Sequence, residues 1–429
     1  MKRVLFPLLV CLALAAGVSS RTTTVDAATA VASAAPIAPA AAVDSSFVPL
    51  TPARIADTRS GLGGVQGPVA SDSTTDFIVV GVGAVPAEAT SVVLNVTVVS
   101  PTATGYLTVF PAGSPRPDSS NLNFVAGANV PNLVIARVGV GGKISVYNFG
   151  GQAHVLLDAT GYFVSGSAAG RFYTFPPFRT FDTRINKRTD GTIVPVPPRG
   201  LLHIGLFPRV GSHLTAILLN VTATNPTSDG FITVYPTGDI FPTTSNLNFK
   251  AGQTVANAVI VKLGVFPNTD FNTLLFYNSA GFTDIIVDVL GVFDDGSEPI
   301  GFTGTPLLFR PLDAPSRVYD SRGSTGFTAG EMRVVNVTQA GGAAAGAWVA
   351  LLNVTATRTT APSYLTIWPS SIPKPTVSSL NWTAGDTVAN FVGVAVPASG
   401  AAQGKLSFYN NDGGADVVVD ATGYFYPVT

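Results

Sequence analysis

Six arginines and three aspartates stand in one pattern that occurs three times. Arg54, Asp57 and Arg59 recur as Arg179, Asp182 and Arg184, and again as Arg317, Asp320 and Arg322. A carboxylate with one guanidinium three residues before it and another two residues after it can be held from both sides, and arginine does this with paired N–H donors. The pattern reads as a structural ion-pair clamp that pins the start of each segment to the edge of a sandwich. Its alternative use is to offer a spare guanidinium to an anionic ligand such as a sugar acid or a phosphate. A second pattern is aromatic. Tyr106, Thr108 and Phe110 alternate with Leu107 and Val109, so they share one face of a strand. Phe231, Thr233 and Tyr235 repeat the arrangement, as do Tyr364, Thr366 and Trp368. Two aromatics at this spacing span ~7 Å, on which a sugar ring can stack while its hydroxyls meet polar neighbours. Tyr106, Phe110, Phe231, Tyr235, Tyr364 and Trp368 are accordingly the candidate ligand-binding residues. The competing use of that face is packing, where each aromatic buries about 150–250 Å².

Asparagine recurs too. Asn95, Asn123, Asn132 and Asn148 have counterparts at Asn220, Asn248, Asn257 and Asn278, and at Asn353, Asn381, Asn390 and Asn410. Asparagine is poor in strands and is tolerated where its amide ties unpaired backbone groups. An internal hydrogen-bond network is the expectation, with a polar groove for sugar hydroxyls as the rival. Asn95, Asn220, Asn336, Asn353 and Asn381 also match the glycosylation acceptor pattern, but three of the five lie mid-strand, where a glycan is hard to place.

Patterns for catalysis are sparse. His154, His203 and His213 occupy no shared repeat position, and no histidine cluster has metal spacing. No Gly-x-Ser-x-Gly elbow occurs. Asp158, Asp288 and Asp420 recur in apolar strands before a glycine, which suits a structural carboxylate better than half of a glycosidase pair. The segment 410–416 faintly resembles a calcium loop, but its counterparts lack the acids. The reading is a non-enzymatic chain with no catalytic residue, metal or cofactor.

These patterns must be positioned by a repeated unit of about 115–125 residues, the size of a whole domain rather than a solenoid repeat. Ser91–Val99 alternates as a half-buried strand, and 77–82, 105–110, 133–138, 143–148 and 154–163 read as further strands separated by Gly, Pro, Asn and Ser. No amphipathic helix of useful length is evident. Seven or eight short strands per unit predict an all-β chain of three tandem antiparallel β-sandwich domains, Ig-like or jelly-roll. The repeats are placed at 46–165, 171–294 and 305–429. Short linkers between them favour a semi-rigid rod or a compact trio.

Before the repeats, Met1-Lys2-Arg3 and an apolar run from Val4 to Val18 predict a signal peptide within 1–30, followed by a flexible linker at 31–45. The one cysteine, Cys11, falls in that leader, so the repeats must be held by their cores rather than by disulfides. Charged residues make up 11% of the 429 and the formal net charge is −1. That argues against nucleic acid as a partner. No later apolar stretch approaches the length of a membrane-spanning helix. A secreted, extracellular or cell-surface location is expected.

The unit resembles a tandem repeat of secreted bacterial cell-surface proteins. The resemblance rests on Pro52-Ala53-Arg54-Ile55-Ala56-Asp57-Thr58-Arg59, on the segments 105–111 and 120–124, and on Asp158 to Phe163, and it covers nearly everything from Phe47 onward. The second repeat departs from it at Gly291-Val292-Phe293 and carries an insertion at 266–272; the third has Ser321 for Thr and Ser363 for Gly. The resemblance implies surface attachment or binding. The expected partner is cell-wall polysaccharide or peptidoglycan, bound multivalently. The alternative is self-association into a surface layer or fibre, which a 46% hydrophobic composition with few charges would favour. A carbohydrate-active enzyme is the third reading.

Overall fold

The structure is a computed structural model, and it describes residues 43–186, 191–208, 213–265, 271–297, 304–338 and 346–428. The expected signal peptide, nearly all of the linker and most of the 266–272 insertion lie outside the described residues. The described residues form one compact unit whose regular elements are strands, apart from one short 3-10 turn.

In the first repeat the strands are β1 (Ser45–Asp57), β2 (Ser73–Ile78), β3 (Ser91–Val99), β4 (Gly105–Pro111), β5 (Leu122–Phe124), β6 (Val130–Arg137), β7 (Lys143–Phe149) and β8 (His154–Ser165). They form two antiparallel sheets of order β1-β8-β3-β6 and β2-β7-β4-β5. Successive strands thus alternate between sheets, apart from the β4–β5 hairpin, in the pattern of a jelly roll. The second strand ends at Ile78 rather than at Val82, because the chain turns there through Gly81, Gly83 and Ala84, all at positive φ.

The second repeat supplies β9 (Phe172–Asp182), β10 (Leu201–Pro208), β11 (Leu214–Thr224), β12 (Gly230–Pro236), β13 (Leu247–Phe249), β14 (Val255–Lys262), the two-residue β15 (Gly264–Val265), β16 (Phe271–Asn278) and β17 (Asp284–Asp294). The third supplies β18 (Leu307–Asp320), β19 (Met332–Asn336), β20 (Val349–Thr357), β21 (Ser363–Pro369), β22 (Leu380–Trp382), β23 (Val388–Ala395), β24 (Lys405–Asn410) and β25 (Asp416–Pro427). Each repeats the same pairing, β9-β17-β11-β14 with β10-β16-β12-β13, and β18-β25-β20-β23 with β19-β24-β21-β22.

Each jelly roll has its own core. In the first, Leu107 and Val109 of the outer sheet meet Val92, Leu94 and Leu157 of the inner sheet. The other face of every inner sheet turns toward the other two repeats. Alternation explains this: Val92, Leu94 and Val96 enter the core of their own repeat, while Val93 joins Leu218 and Leu351, its equivalents, in a fourth core shared by all three. Six phenylalanines close a ring in that core. Phe47 lies 5.3 Å from Phe163, Phe163 lies 4.4 Å from Phe309, and Phe309 lies 5.5 Å from Phe425. Phe425 is 4.5 Å from Phe172, Phe172 is 4.9 Å from Phe293, and Phe293 is 4.5 Å from Phe47. Contacts within a repeat thus alternate with contacts between repeats. All six rings are buried, and each contributes about 2 kcal/mol by area, an upper figure.

The first strand of each repeat begins at this ring. Ser45 pairs with Phe309 and Leu307 with Phe172, joining the three inner sheets into one of twelve strands. The repeats are therefore arranged about a pseudo-threefold axis, with inner sheets against one another and outer sheets facing away.

Candidate functional site

The repeated charges sit where β1 meets β8. Ala53 and Arg54 of β1 pair with Ala159 and Asp158, so the guanidinium of Arg54 reaches the Asp158 carboxylate with two bonds, 2.8 Å from Nε and 3.1 Å from Nη2. Its Nη1 also reaches Asp57 at 3.5 Å, and Arg59 donates to Asp57 from Nε, Nη2 and its backbone N–H. Asp57 thus lies between two arginines, and a second aspartate completes a four-membered chain. Arg179, Asp182, Arg184 and Asp288 make the same chain, as do Arg317, Asp320, Arg322 and Asp420.

The two aspartates of a chain are tuned in opposite directions. Hydrogen bonds from Arg59 hold the Asp57 carboxyl below its ordinary range against the cost of its burial. At Asp182 burial pushes upward, but the bonds from Arg184 outweigh it and the net shift is downward. Asp320, bonded by Arg322, is lowered to about 2. Asp158, Asp288 and Asp420 are nearly inaccessible, and burial raises each of them despite its arginine.

The neighbouring hydroxyl is also tied. Thr58 shares a bond with His154 Nδ1 at 3.0 Å, Thr183 donates to Asp284, and Ser321 donates to Asp416. His154 thus stands in for an aspartate at one position of a structural turn.

The glycine three residues after each buried aspartate has a packing reason. A Cβ on Gly161 would lie 2.3 Å from the Phe47 ring, one on Gly291 2.0 Å from Phe172, and one on Gly423 2.4 Å from Phe309.

The asparagines divide into three jobs. Asn148, Asn278 and Asn410 stay within their repeats and donate to turn carbonyls such as Gly151, Gly281 and Gly413. Asn95, Asn220 and Asn353 reach across to the next repeat and donate to the carbonyls of Ser245, Ser378 and Ser120 at 2.6–2.7 Å. Asn132, Asn257 and Asn390 also cross. They donate to Asn353, Asn95 and Asn220, and accept from the N–H of Phe391, Leu133 and Ala258. The network is internal to the chain, but half of it joins repeats. The remaining set, Asn123, Asn248 and Asn381, lines a pocket bordered by all three repeats.

The aromatic strips differ from the sequence expectation. Phe110, Tyr235 and Trp368 are only 3%, 4% and 2% exposed, while Tyr106, Phe231 and Tyr364 are half-buried. The loop between β4 and β5 folds over the strand, fixed by Thr108 donating to the Ser119 carbonyl, and Thr233 and Thr366 hold the equivalent loops. Trp368 itself donates to Ile372 of that loop. The two aromatics of a strip therefore do not form one open surface, and the threonines between them are sealed.

What remains partly exposed is Tyr106, Phe231 and Tyr364, each beside a tyrosine of the neighbouring strand, of which Tyr147 is itself buried. Tyr147 is opposite Thr108 in the β4–β7 register, which puts it on the same face as Tyr106, 6.2 Å away. Phe231 and Tyr277 are 6.2 Å apart, and Tyr364 and Tyr409 6.5 Å. Over each of these tyrosines lies one exposed residue of the loop. It is Arg116 at 3.9 Å in the first repeat, Phe241 at 4.7 Å in the second and Lys374 at 3.5 Å in the third. Phe149 stacks on Tyr106 in the first repeat only. The sequence signal for these tyrosines is that one precedes each of the recurrent Asn148, Asn278 and Asn410, at Tyr147, Tyr277 and Tyr409.

No family model matches the chain, and no curated protein matches it. Two solved structures align with it over most of its length. One is described as the triple jelly roll fold and turret assembly in an archaeal virus, at 13% identity, covering 89% of this chain and 90% of that one with a TM-score of 0.17. The other is described as the atomic structure of Sulfolobus Turreted Icosahedral Virus, at 12% identity, covering 92% and 100% with a TM-score of 0.16. The jelly-roll assignment rests on strand order and not on these alignments. Among the described residues no helix is long and apolar enough to cross a membrane.

Proposed function

We propose that this is a non-catalytic, exported cell-surface protein whose three repeats act as three carbohydrate-binding domains. The observation that carries this reading is the half-buried first aromatic of each repeat, Tyr106, Phe231 and Tyr364, each set beside a tyrosine, Tyr147, Tyr277 or Tyr409, that a loop side chain covers. Half-buried rings held by packing suit stacking against the C–H face of a sugar, because little side-chain freedom is lost on binding. The repeated carboxylates support a non-catalytic role, since Asp158, Asp288 and Asp420 are each engaged by an arginine through two bonds.

The outer sheets face away from a common axis. Three sites so placed do not lie on one flat surface, and a short glycan cannot reach all three at once. Avidity then comes from a mesh of polysaccharide chains, which the protein would bridge. The proposed partner is accordingly polymeric wall polysaccharide or peptidoglycan. Sedimentation of the purified protein with wall material, and without it, tests this. Saturable sedimentation that is lost in the triple variant Tyr106→Ala, Phe231→Ala, Tyr364→Ala is expected; a protein that stays in the supernatant overturns the reading.

Self-assembly is a second reading with its own observation. The outer sheets end in β2, β10 and β19, and these edge strands carry exposed Ile78, Leu201, Met332 and Val334. Open edges with apolar side chains promote strand addition between molecules. Light scattering over a wide concentration range separates the readings: growth without wall material favours assembly, and a constant monomer mass removes it.

A further inference from the structure

The axis that carries the phenylalanine ring ends, on its other side, in a pocket of about 660 Å³. The strand register gives its place. Arg137 of β6 pairs with Ser91, and Ser91 with Phe163, so that end of β6 lies level with the ring. The pocket is lined by Val130, at the opposite end of the same strand. The two features are roughly 20 Å apart along β6.

All three repeats build this pocket from equivalent residues. Asn123, Asn248 and Asn381 contribute carboxamides, and Val130, Val255 and Val388 contribute aliphatic wall. The strands beneath are fixed by the inter-repeat bonds of Asn257 and Asn390, which also border the pocket. The oxygens of Asn123 and Asn381 accept bonds from Ser120 and Ser378, 3.2 and 3.1 Å away. Among the described residues the amide nitrogens of Asn123, Asn248 and Asn381 have no hydrogen-bond partner. Its charged residues are already occupied: Lys250 pairs with Asp229 at 2.8 Å, and Asp386 accepts the N–H and hydroxyl of Thr383.

We infer that this axial pocket binds one neutral, hydroxyl-rich ligand per chain, of the size of one to three sugar units. Its volume falls within the ~300–1,000 Å³ of small-molecule sites. Three amide donors between aliphatic walls match a molecule that offers hydroxyl acceptors around a C–H surface. An anionic ligand would enter without a free counter-charge and beside the Asp386 carboxylate, and a wholly apolar one would strip water from three amide groups and return nothing. The site is separate from the outer aromatic groups and does not depend on them.

Calorimetric titration of the intact protein with chitotriose, maltotriose and mannitol, and with glucuronate as the anionic comparison, tests the inference. Uptake of one neutral probe at one molecule per chain is expected. Asn248→Ala should weaken it roughly tenfold, and the variant should melt like the parent, since this side chain is half-exposed and holds no other repeat. The triple variant Tyr106→Ala, Phe231→Ala, Tyr364→Ala should bind the same probe unchanged, which distinguishes failure here from failure at the outer faces. The inference is overturned if no neutral probe binds at about 10 mM, well into the weak range. It is equally overturned if binding is indifferent to the Asn123→Ala, Asn248→Ala, Asn381→Ala triple variant, or if glucuronate binds as well as the neutral sugars.

Discussion

Asn132 of the first repeat donates a 2.8 Å hydrogen bond to Asn353 of the third, amide to amide, in the buried centre of the chain. The same nitrogen donates to the Asn121 carbonyl, and the Asn132 oxygen accepts from the Phe391 N–H. One side chain therefore satisfies three groups on two repeats. Asn132→Ala would leave those groups unpaired in a dry environment, at a cost of about 2–4 kcal/mol. Calorimetry should show one cooperative transition at lower temperature. A variant that melts with the parent would mean water replaces the amide and that the joint contributes little.

Arg54 carries a comparable responsibility for Asp158. Removing it strands a carboxylate that is 1% exposed, and breaking a buried pair from one side costs about 3–5 kcal/mol. Arg54→Met combined with Asp158→Leu should recover much of the loss, because neither charge then remains to be desolvated. Chemical denaturation of the single and double variants gives the comparison; equal losses in both would show that shape, not charge, sets the cost.

Acid should act on these clusters in a definite sense. Asp57, Asp182 and Asp320 lie below their ordinary value in the folded chain. Below pH ~3.8 the unfolded chain therefore holds more protons at these sites, and the stability they provide is lost as pH falls, toward about 2 for Asp320. Asp158, Asp288 and Asp420 are raised, so the folded chain holds more protons there, and their contribution declines as pH rises through those raised values. Arg322→Gln should remove the first effect in one repeat. The stability difference between parent and variant should be large near neutrality and shrink toward pH ~2. A difference that does not change with pH would assign the role of Arg322 to packing alone.

Gly161→Ala probes the shared core from one atom. The new Cβ would meet the Phe47 ring at 2.3 Å and the Val48 carbonyl at 2.8 Å, and overpacking of this kind costs about 1–3 kcal/mol. Phe47→Leu in the same chain should relieve part of the ring clash. If the double variant is as stable as Phe47→Leu alone, the ring is the obstacle; if it keeps the full deficit, the backbone contact is.

The alternation in Ser91–Val99 was enough to place β3 at its observed bounds, and β4, β7 and β8 fell within two residues of theirs. Local period-two burial is written in adjacent residues. The opening strand β1 is not legible as a strand, because Pro49 and Pro52 interrupt it and its pairing with β8 shifts register there. The choice between Ig-like and jelly-roll order depends on which distant strands pair, and alternation is blind to that. Asn95 and Asn132 stood out as recurrent, but a residue that holds a neighbouring repeat looks in one sequence like a residue that holds its own. The burial of Phe110, Tyr235 and Trp368 is hidden for a related reason: the strand periodicity gives the face, not whether a loop returns over it.

The loop residue five positions after Pro111, Pro236 and Pro369 is Arg116 in one repeat, Phe241 in the next and Lys374 in the last, each over an equivalent tyrosine. A trimer of separate identical chains would have to carry the same side chain three times. Covalent fusion frees each copy to mutate alone while the shared framework stays symmetric. The molecule thus has two cationic pads and one greasy pad on one framework, and a probe that recognises either kind of pad would find its three faces unequal.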